Sequence, residues 1–303
     1  MPFELVPRVV TVVGPTAAGK SSLSIALAHA LGGEVVNADS MQLYRGMDIG
    51  TAKLTVEERE GVPHHLLDIW DVTVPAAVAE YQALARAAID DILARGRVPL
   101  LVGGSGLYIR AVLEEFEFPG TDPEVRARLE AELAANGPAP LFERLTHWDP
   151  VAAATILPSN GRRIVRALEV IELTGKPFTA TLPQPIPHYP SLQIGVDRAT
   201  EVLDERIARR VETMWAAGLV AEVRGLLPAG LRDGRTASRA LGYQQALAQL
   251  DGELTEAEAK AATVQGTRRF VRRQRSWFKR DPAIHWLDGA SDTLVADALA
   301  LAG

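Results

Sequence analysis

Short apolar segments alternate with longer amphipathic segments along the first third of the chain. Residues Arg8–Val13, Glu34–Asn37 and Val98–Val102 are short and rich in valine and leucine, which predicts buried parallel strands. Ser21–Leu31 and Pro75–Arg95 carry apolar residues at helical spacing, and a glycine follows each of them. Strands that alternate with helices predict an α/β fold, a parallel sheet flanked by helices.

The pattern changes near Phe118. From residue 118 to residue 190 the apolar spacing predicts helices, of which Val125–Ala135 and Arg163–Thr174 are the best examples, and no clear strand. A proline-rich run then predicts an extended connection. We therefore predict an all-helical insertion domain over residues 118–190.

The sheet resumes after the insertion. Leu192–Val196 is interpreted as one more strand, so residues 1–117 and 191–303 together form the predicted core. The remainder of the chain is interpreted as helical, in a C-terminal part of that core. Its predicted helices are Glu201–Ala217, Leu219–Leu227, Ala240–Leu250 and Thr255–Phe278.

Composition narrows the class of protein. Of the 303 residues, 47% are hydrophobic and 23% are charged, which is typical of a globular protein. Eighteen consecutive apolar residues, the length that spans a bilayer, occur nowhere in the sequence. The chain has no cysteine, which excludes disulfides, cysteine-ligated zinc and cysteine nucleophiles and is compatible with a cytoplasmic location.

Charge is unevenly distributed. The net charge of −6 by itself argues against a nucleic-acid partner, but seven of the thirteen residues in Arg268–Arg280 are basic and none is acidic. A local basic patch on an acidic chain can still attract a polyanion. Trp277 and Phe278 lie within this run, and we expect both rings to pack in a core.

A phosphate-binding loop follows the first predicted strand. Gly14–Ser21 matches the pattern G-x-x-x-x-G-K-[ST] without a mismatch and lies between a strand and a helix, as such a loop requires. Its glycines let backbone N–H groups point at phosphate oxygens, Lys20 adds a charge, and the Ser21 hydroxyl can hold Mg²⁺. A chance glycine turn is the weaker alternative. The motif predicts polyphosphate binding, but it does not distinguish ATP, GTP and a prenyl diphosphate.

A carboxylate follows the second predicted strand. Because ligands of open α/β sheets bind beyond the carboxyl ends of the strands, Asp39 is expected to face the same crevice as the P-loop. It could accept a proton from a nucleophile or bind a metal-coordinated water. An N-cap of a following helix is an equally good interpretation of Asp39 and Ser40.

The segment Asp39–Lys53 resembles the signature of the tRNA dimethylallyltransferases, also called tRNA isopentenyl- or prenyltransferases. Other segments match that family in the expected order, over nearly the whole chain. They are Gly14–Ser21, Pro63–Asp68, Leu101–Tyr108, Asp122–Arg126, Arg163–Glu169, Arg239–Gln244 and Arg272–Phe278. The chain resembles the shorter, bacterial type, since it lacks a C-terminal cysteine-histidine finger.

The resemblance implies a fold like that of P-loop NTPases and a set of roles at the diphosphate. The loop holds dimethylallyl diphosphate with Mg²⁺ at Ser21, Lys20 assists the leaving group, and Asp39 takes the proton from N6 of the target adenosine. Ser105 contacts the substrate near the diphosphate. The implied diphosphate-binding residues are Gly14, Pro15, Thr16, Ala17, Ala18, Gly19, Lys20, Ser21 and Arg206, with Arg210 as the alternate to Arg206.

The resemblance also implies tRNA contacts from the base pocket, the insertion and the C-terminal part. The implied target is adenosine 37, in the anticodon loop of tRNAs that read codons beginning with U, and we expect a monomer. The implied tRNA-binding residues are Asp39, Ser40, Met41, Gln42, Ser105, Arg126, Arg162, Arg163, Ile164, Val165, Arg166, Arg239, Gly242, Tyr243, Gln244, Arg272, Arg273, Arg275 and Lys279.

Three departures from the family pattern and three rival functions accompany the resemblance. Ser21 and Ser105 replace threonines and keep the hydroxyl, whereas Asn160 replaces an aspartate, which weakens any cap or ion pair there. The rivals are an adenylate prenyltransferase, which has little use for a basic C-terminal run, a small-molecule kinase, and a non-catalytic RNA-binding module. The module leaves the P-loop and Asp39 without a purpose.

Overall fold

The computed structural model describes residues 9–115, 118–181 and 186–303. The chain forms two compact units. One contains the residues up to Leu113 and Pro187–Gly303, and the other is Glu114–Ile186. These limits differ by four residues from the predicted insertion, 118–190; residues 116–117, beside its predicted start, lie outside the described residues.

The larger unit is built on a six-stranded sheet with the strand order β3-β2-β4-β1-β5-β6. All of the strand pairs are parallel, so the predicted α/β fold with a parallel sheet is confirmed. The strands are β1 Val9–Val13, β2 Gly33–Asn37, β3 His64–His65, β4 Val98–Gly103, β5 Ser191–Asp197 and β6 Ile284–Asp288.

Helices account for most of the remaining described residues. Membrane-spanning length and hydropathy are not reached by any of them within those residues. In chain order the helices are α1 Lys20–Leu31, α2 Val78–Ala94, α3 Gly106–Leu113, α4 Pro123–Asn136, α5 Pro138–Trp148, α6 Pro150–Thr155, α7 Gly161–Thr174, α8 Thr200–Ala216, α9 Leu219–Leu226, α10 Tyr243–Leu250, α11 Glu256–Phe278 and α12 Leu294–Ala302.

The central strand explains why the sheet is covered on both faces. Every residue of β1 is buried. Val9 and Val13 belong to one apolar cluster, whereas Val10 and Val12 belong to a second. Since successive side chains of a strand point to opposite faces, the two clusters are the cores on either side of the sheet. The valine-rich sequence of β1 is the consequence of burial on both faces.

Strand β6 corrects the prediction that the C-terminal part is helical. Ile284–Asp288 pairs in parallel with β5, with Ile194 opposite His285. It is an edge strand of the sheet, in which Ile284 is buried, Trp286 and Leu287 are partly buried, and His285 and Asp288 are exposed. Five residues with no clear alternation carry little local signal, and the partner strand lies far away in the sequence.

The smaller unit contains α4 to α7 and, within the described residues 118–181, no strand, as predicted. Its core is a separate apolar cluster in which Leu129, Leu141 and Ile164 are fully buried. Asn160 precedes α7, and its side-chain oxygen accepts a hydrogen bond from the N–H of Arg163 at 3.3 Å. The asparagine therefore retains the capping function that the replaced aspartate was expected to supply.

Candidate active site

Four loops of the larger unit meet at the carboxyl ends of the strands. The P-loop follows β1, Asp39 follows β2, Ser105 follows β4 and Arg198 follows β5. Parallel strands bring these ends to one edge of the sheet. Two cavities, of about 210 and 300 Å³, open there and share Thr16, Asp39, Thr51 and Arg210 in their walls.

The P-loop wraps the start of α1, which begins at Lys20. Gly14 has a φ of +143°, and a Cβ atom at this position would lie 2.1 Å from the carbonyl oxygen of Val196 in β5, so only glycine fits. The loop residues Thr16 to Ser21, apart from Ala18, line the first cavity. N–H groups at a helix start and the helix dipole both favour an anion here.

Lys20 is held within its own loop. Its Nζ donates a hydrogen bond to the carbonyl oxygen of Pro15 at 2.9 Å. Desolvation by burial lowers the pKa of Lys20 to about 8, an effect that the Asp39 carboxylate opposes and that the Arg210 guanidinium strengthens. The ammonium therefore lies in a low-dielectric cavity, where a bound anion gains more than at the surface.

Three arginines surround the P-loop. Arg198 Nε donates to the carbonyl oxygen of Ala18 at 2.8 Å, and Arg206 Nε donates to that of Ala17 at 2.7 Å. Arg210 Nη2 donates to the carbonyl oxygen of Thr51 at 3.0 Å. Together with Lys20 they concentrate positive charge on a loop that the sequence predicts to bind polyphosphate.

The structure brings both alternates for the diphosphate contact, Arg206 and Arg210, to the same cavity. Both line the first cavity, and Arg210 also lines the second. Burial lowers the pKa of both guanidiniums. Arg198 lowers the pKa of Arg206 further; for Arg210 the Asp39 carboxylate raises the pKa and Arg206 lowers it. Like charges held this close indicate a site for an anion. Arg198 was not among the predicted site residues. Its position directly after the end of β5, at the edge where the strand ends meet, is the feature that could have indicated it.

Asp39 is oriented by its own loop. Its N–H donates to the side-chain oxygen of Asn37 at 2.9 Å, and the Asn37 amide nitrogen donates to the carbonyl oxygens of Asp39 and Leu66. One carboxylate oxygen accepts from the N–H of Met41 at 3.0 Å. This carboxylate therefore caps a turn, not a helix, and it also lines both cavities, so it is placed to accept a proton from a group bound in either.

The second cavity has an apolar wall beside this carboxylate. Asp39, Ser40, Ser105 and Arg239 contribute polar groups. The hydroxyls of Ser40 and Ser105 approach each other at 3.4 Å. The apolar wall is formed by Met41, Ile207, Val211, Met214, Leu241 and Phe270.

The signature segment after Asp39 is held by one buried cation, Lys53, and one partly buried carboxylate, Glu222. The side chain of Lys53 is 3% exposed, and its Nζ contacts the Asp48 carboxylate at 2.6 Å and the Asp68 carboxylate at 2.5 Å. The Glu222 carboxylate of α9 accepts hydrogen bonds from three successive backbone N–H groups, those of residues 48 to 50. These contacts hold Thr51 in the walls of both cavities and explain the order of residues in the signature.

The predicted tRNA contacts of the C-terminal part separate into two groups. Arg239 and Arg273 line the second cavity, while Arg272 and Lys279 are exposed. Gln244 is also exposed. Arg275 differs, as its side chain is 16% exposed and bonded to Asp197 and Thr200. In this structure Arg275 joins α11 to the end of β5, so its guanidinium is already paired, which argues against the predicted contact with tRNA.

Burial corrects three further predictions of tRNA contact. The side chains of Ile164, Val165 and Tyr243 are at most 2% exposed, so they pack in cores and present no surface to an RNA. Gly242, at a φ of +89°, is the buried residue that precedes α10. These positions were predicted from matched family motifs, but in the structure they contribute to packing.

In the insertion, two of the predicted arginines have a structural partner. Arg126 and Arg166 both bind the carboxylate of Glu169, which is 0% exposed. Arg162 and Arg163 are exposed on the same helix as Arg166. The two exposed arginines are the ones available to a phosphate backbone.

The two aromatic residues of the basic run have different environments. Phe278 is 3% exposed and lies in the core, as expected, but Trp277 is 42% exposed, which contradicts the expectation for that ring. A Cβ atom built on Gly106 would lie 2.1 Å from the Trp277 indole, so the ring covers the start of α3.

The sequence has close relatives of established name. A tRNA dimethylallyltransferase from Salinispora arenicola is 78% identical over 96% of this chain and 85% of that protein. One from Streptomyces avermitilis is 70% identical over 95% of this chain and 92% of that protein.

Solved structures agree with the sequence relatives. The full-length tRNA isopentenylpyrophosphate transferase from Bacillus halodurans has a TM-score of 0.72 and 41% identity, over 98% of this chain and 94% of that chain. A eukaryotic dimethylallyltransferase acting on tRNA has a TM-score of 0.83 and 27% identity, over 96% of this chain and 77% of that chain. The sequence model of the family described as IPP transferase matches residues 42–281. With most of its length inside that match, the chain belongs to the IPP transferase family.

Proposed function

We propose that this protein transfers a dimethylallyl group from dimethylallyl diphosphate to N6 of an adenosine in tRNA. The nitrogen attacks the allylic carbon, the bond from that carbon to the diphosphate oxygen breaks, and the N6 proton passes to the Asp39 carboxylate. The products are N6-isopentenyladenosine and diphosphate. The observation that carries this proposal is the place of Asp39, in the wall that the P-loop cavity shares with the apolar cavity.

The first cavity suits the leaving group. Diphosphate departs with negative charge, and Lys20, Arg206 and Arg210 line this cavity together with the N-terminus of α1. Charges that are already oriented stabilise a developing anion without reorganisation. Allylic substitution involves no change of oxidation state, so the reaction does not require a redox-active residue.

The second cavity suits the acceptor and the prenyl group. Its apolar wall, which includes Met214 and Phe270, can cover a base and a five-carbon chain beside Asp39. An adenine must leave its stack to reach such a site, and a base in an RNA loop does so more easily than a base in a duplex. Arg272, exposed on α11, and Lys279, exposed directly after that helix, can neutralise phosphates of the RNA.

Mg²⁺ is part of the proposal. The Ser21 hydroxyl lines the first cavity together with Asp39, and Mg²⁺ usually takes one or two protein oxygens and completes its shell with phosphate oxygens and water. Ser21 would hold the ion, and the ion would neutralise charge on the diphosphate. We expect chelation of divalent ions to lower the rate without unfolding the protein.

Further details of the substrate come from the family. We expect the target to be adenosine 37, next to the anticodon, in tRNAs that read codons beginning with U, and the site of action to be the cytoplasm. A monomer is sufficient for this proposal, because the two cavities are built from one chain. The exposed arginines favour a polymeric acceptor over free adenylate.

A transfer assay tests the proposal. The protein is incubated with Mg²⁺, dimethylallyl diphosphate and unmodified tRNA, and the digested nucleosides are searched by mass for N6-isopentenyladenosine. Parallel reactions contain AMP or ATP as the acceptor. Product in tRNA alone supports the proposal. Product on the free nucleotide identifies an adenylate prenyltransferase, and phosphate transfer from ATP without prenylation identifies a kinase.

A further inference from the structure

Gln274 of α11 joins two loops of the site. Its Oε1 accepts a hydrogen bond from the backbone N–H of Thr16 at 3.0 Å, and its Nε2 donates to the carbonyl oxygen of Gly104 at 2.9 Å. The residue is 6% exposed. A single amide group therefore connects the P-loop after β1 with the loop after β4 that carries Ser105.

The chemistry of the pair dictates the amide. The P-loop offers a donor and the Gly104 loop offers an acceptor, so the bridging side chain must accept at one end and donate at the other. Glutamine does both without charge, and in a buried place a charge would be costly. A Cβ atom on Gly104 would lie 2.2 Å from the Gln274 Nε2, so only glycine leaves room for the bridge.

The neighbours of Gln274 hold it in position. Arg275 Nε donates to the Asp197 carboxylate at 2.9 Å, and its Nη1 donates to the Thr200 hydroxyl at 2.8 Å. Phe278, one turn further along α11, is buried in the core. The helix is thus anchored at and just after the bridge, so Gln274 is presented to the loops by a rigid element.

We propose that Gln274 is a positioning residue of the diphosphate site, which orients the P-loop by binding the Thr16 N–H and sets its distance from the Ser105 loop. Because the Thr16 amide is occupied by this side chain, it is not available to a phosphate. This inference rests on the proposed function for the identity of the substrate, but the binding of an inorganic diphosphate tests it independently of transfer.

The experiment measures the Kd of inorganic pyrophosphate with Mg²⁺ by calorimetry, at a temperature where circular dichroism shows each variant folded. Gln274→Met keeps the side-chain length and removes both hydrogen bonds. We expect it to weaken binding about tenfold or more, the effect of disturbing one or two hydrogen bonds to a charged ligand. Gly104→Ala leaves Gln274 unchanged but displaces it, and a similar loss is expected.

Gln265→Met is the matched control. Gln265 is exposed on the same helix and lies in a groove with Arg209 and Glu212, apart from both cavities of the site. Its replacement should leave the Kd unchanged. Wild-type affinity in a folded Gln274→Met variant would overturn the inference; if that variant does not fold, wild-type affinity in Gly104→Ala would overturn it.

Gln274→Glu adds a readout that a merely structural residue would not give. A carboxylate can accept from the Thr16 N–H but repels the Gly104 carbonyl oxygen, whereas a protonated carboxyl restores both hydrogen bonds. Because burial raises the pKa of a carboxyl group, the introduced side chain of the Gln274→Glu variant should become protonated as the pH is lowered from about 8 to about 5.5. The ratio of the variant Kd to the wild-type Kd should therefore decrease over this range. A ratio that is large and independent of pH would count against the bridge.

Transfer assays separate the two proposals. If the wild-type protein binds pyrophosphate but prenylates no acceptor, the proposed function fails while the role of Gln274 is still decided by the Kd values. If transfer occurs and the Gln274→Met Kd is unchanged, the inference fails alone. Where both hold, the variant should raise KM for dimethylallyl diphosphate more than KM for tRNA.

Discussion

Asp39 shows how a reactive side chain can be prepared by backbone contacts. Asn37 holds the backbone of Asp39, and the Met41 N–H binds one carboxylate oxygen at 3.0 Å. Tyr81 in turn donates to the carbonyl oxygen of Asn37 at 2.9 Å. In the proposed reaction the carboxylate is already oriented, so little rotamer freedom would be lost in the transition state.

Replacement of Asp39 is expected to affect turnover far more than binding. In Asp39→Ala the base is lost, and we expect kcat to fall about 10²- to 10⁴-fold, the usual contribution of a general base. The Kd for tRNA should stay close to the wild-type value. Single-turnover prenylation and filter binding measure the two quantities. Asp39→Asn, which retains an oxygen for the Met41 N–H, is the control for loop structure, and turnover retained in Asp39→Ala would exclude this residue as the base.

The pKa of Lys20 predicts a pH dependence of diphosphate binding. Its ammonium is charged below its pKa of about 8 and loses the charge as the pH rises above that value. The free protein should therefore bind pyrophosphate less tightly as the pH rises from 8, by up to about tenfold per pH unit. Calorimetry at several pH values measures this change. Lys20→Met should bind weakly and lack the break near pH 8, and an identical pH profile in both proteins would contradict the assignment.

At the scale of elements, the helices serve as holders of loops more than as carriers of reactive groups. Glu222 of α9 binds three N–H groups of the signature segment, and its carboxylate also accepts from the Tyr243 hydroxyl of α10. In the insertion, Glu169 of α7 has the corresponding position between Arg126 and Arg166. In both places one carboxylate, fully buried at Glu169 and partly buried at Glu222, satisfies several donors at once, which offsets the cost of removing its charge from water.

The Glu169 cluster predicts a stability effect. Burial alone would raise the pKa of Glu169, but hydrogen bonds from Arg126 and Arg166 lower it overall. Because Arg126 is 31% exposed and Arg166 persists, we expect Arg126→Met to destabilise the insertion by about 2 kcal/mol, less than is usual for a fully buried pair. Thermal unfolding measures the loss.

The cluster also predicts a pH window and a control. A carboxyl whose folded pKa is lowered stabilises the fold above its unfolded pKa and stops doing so as the pH falls through the folded pKa. The Tm difference between wild type and Arg126→Met should therefore shrink below about pH 4. Arg163→Met, exposed on α7, should leave Tm unchanged and weaken tRNA binding. Equal Tm values for Arg126→Met and wild type at neutral pH would show that the cluster contributes no stability.

At the scale of the whole molecule, the local charge on α11 is opposite in sign to the net charge of the chain. The net charge is −6, yet α11 presents exposed arginines near the entrance of a cavity rich in cations. Local potential, not net charge, decides whether a polyanion approaches. The structure also refines which basic residues contribute, because Arg275 is engaged with Asp197 and Arg268 with Asp204.

Salt dependence tests that arrangement. In Arg272→Gln/Arg273→Gln two exposed cations are removed, so the slope of log K for tRNA binding against log salt should become shallower by about 1.5. Binding measured over a range of KCl concentrations gives the slope. Arg224→Gln, exposed on α9, is the control and should leave the slope unchanged. An unchanged slope in the double variant would mean that this face of α11 does not contact the RNA.

The parallel α/β sheet, the P-loop and a position of Asp39 beside that loop could be predicted from the sequence alone. These features depend on residues that are close together in the chain. A valine-rich run, Arg8–Val13, predicted β1, and an eight-residue motif between a strand and a helix predicted the P-loop. The rule that strand ends converge then placed Asp39 at that edge, whereas Ser105 was predicted only from the family resemblance.

Which residues of the matched motifs face the site depends on tertiary contacts and could not be predicted from the sequence. Gln274 binds Thr16 across 258 positions and Gly104 across 170 positions, and β6 pairs with a strand far before it. Tyr243 and Arg275 belong to matched motifs, but the first is buried and the second is ion-paired. Burial and pairing of this kind arise from contacts between distant segments, and no local period or motif spacing records them.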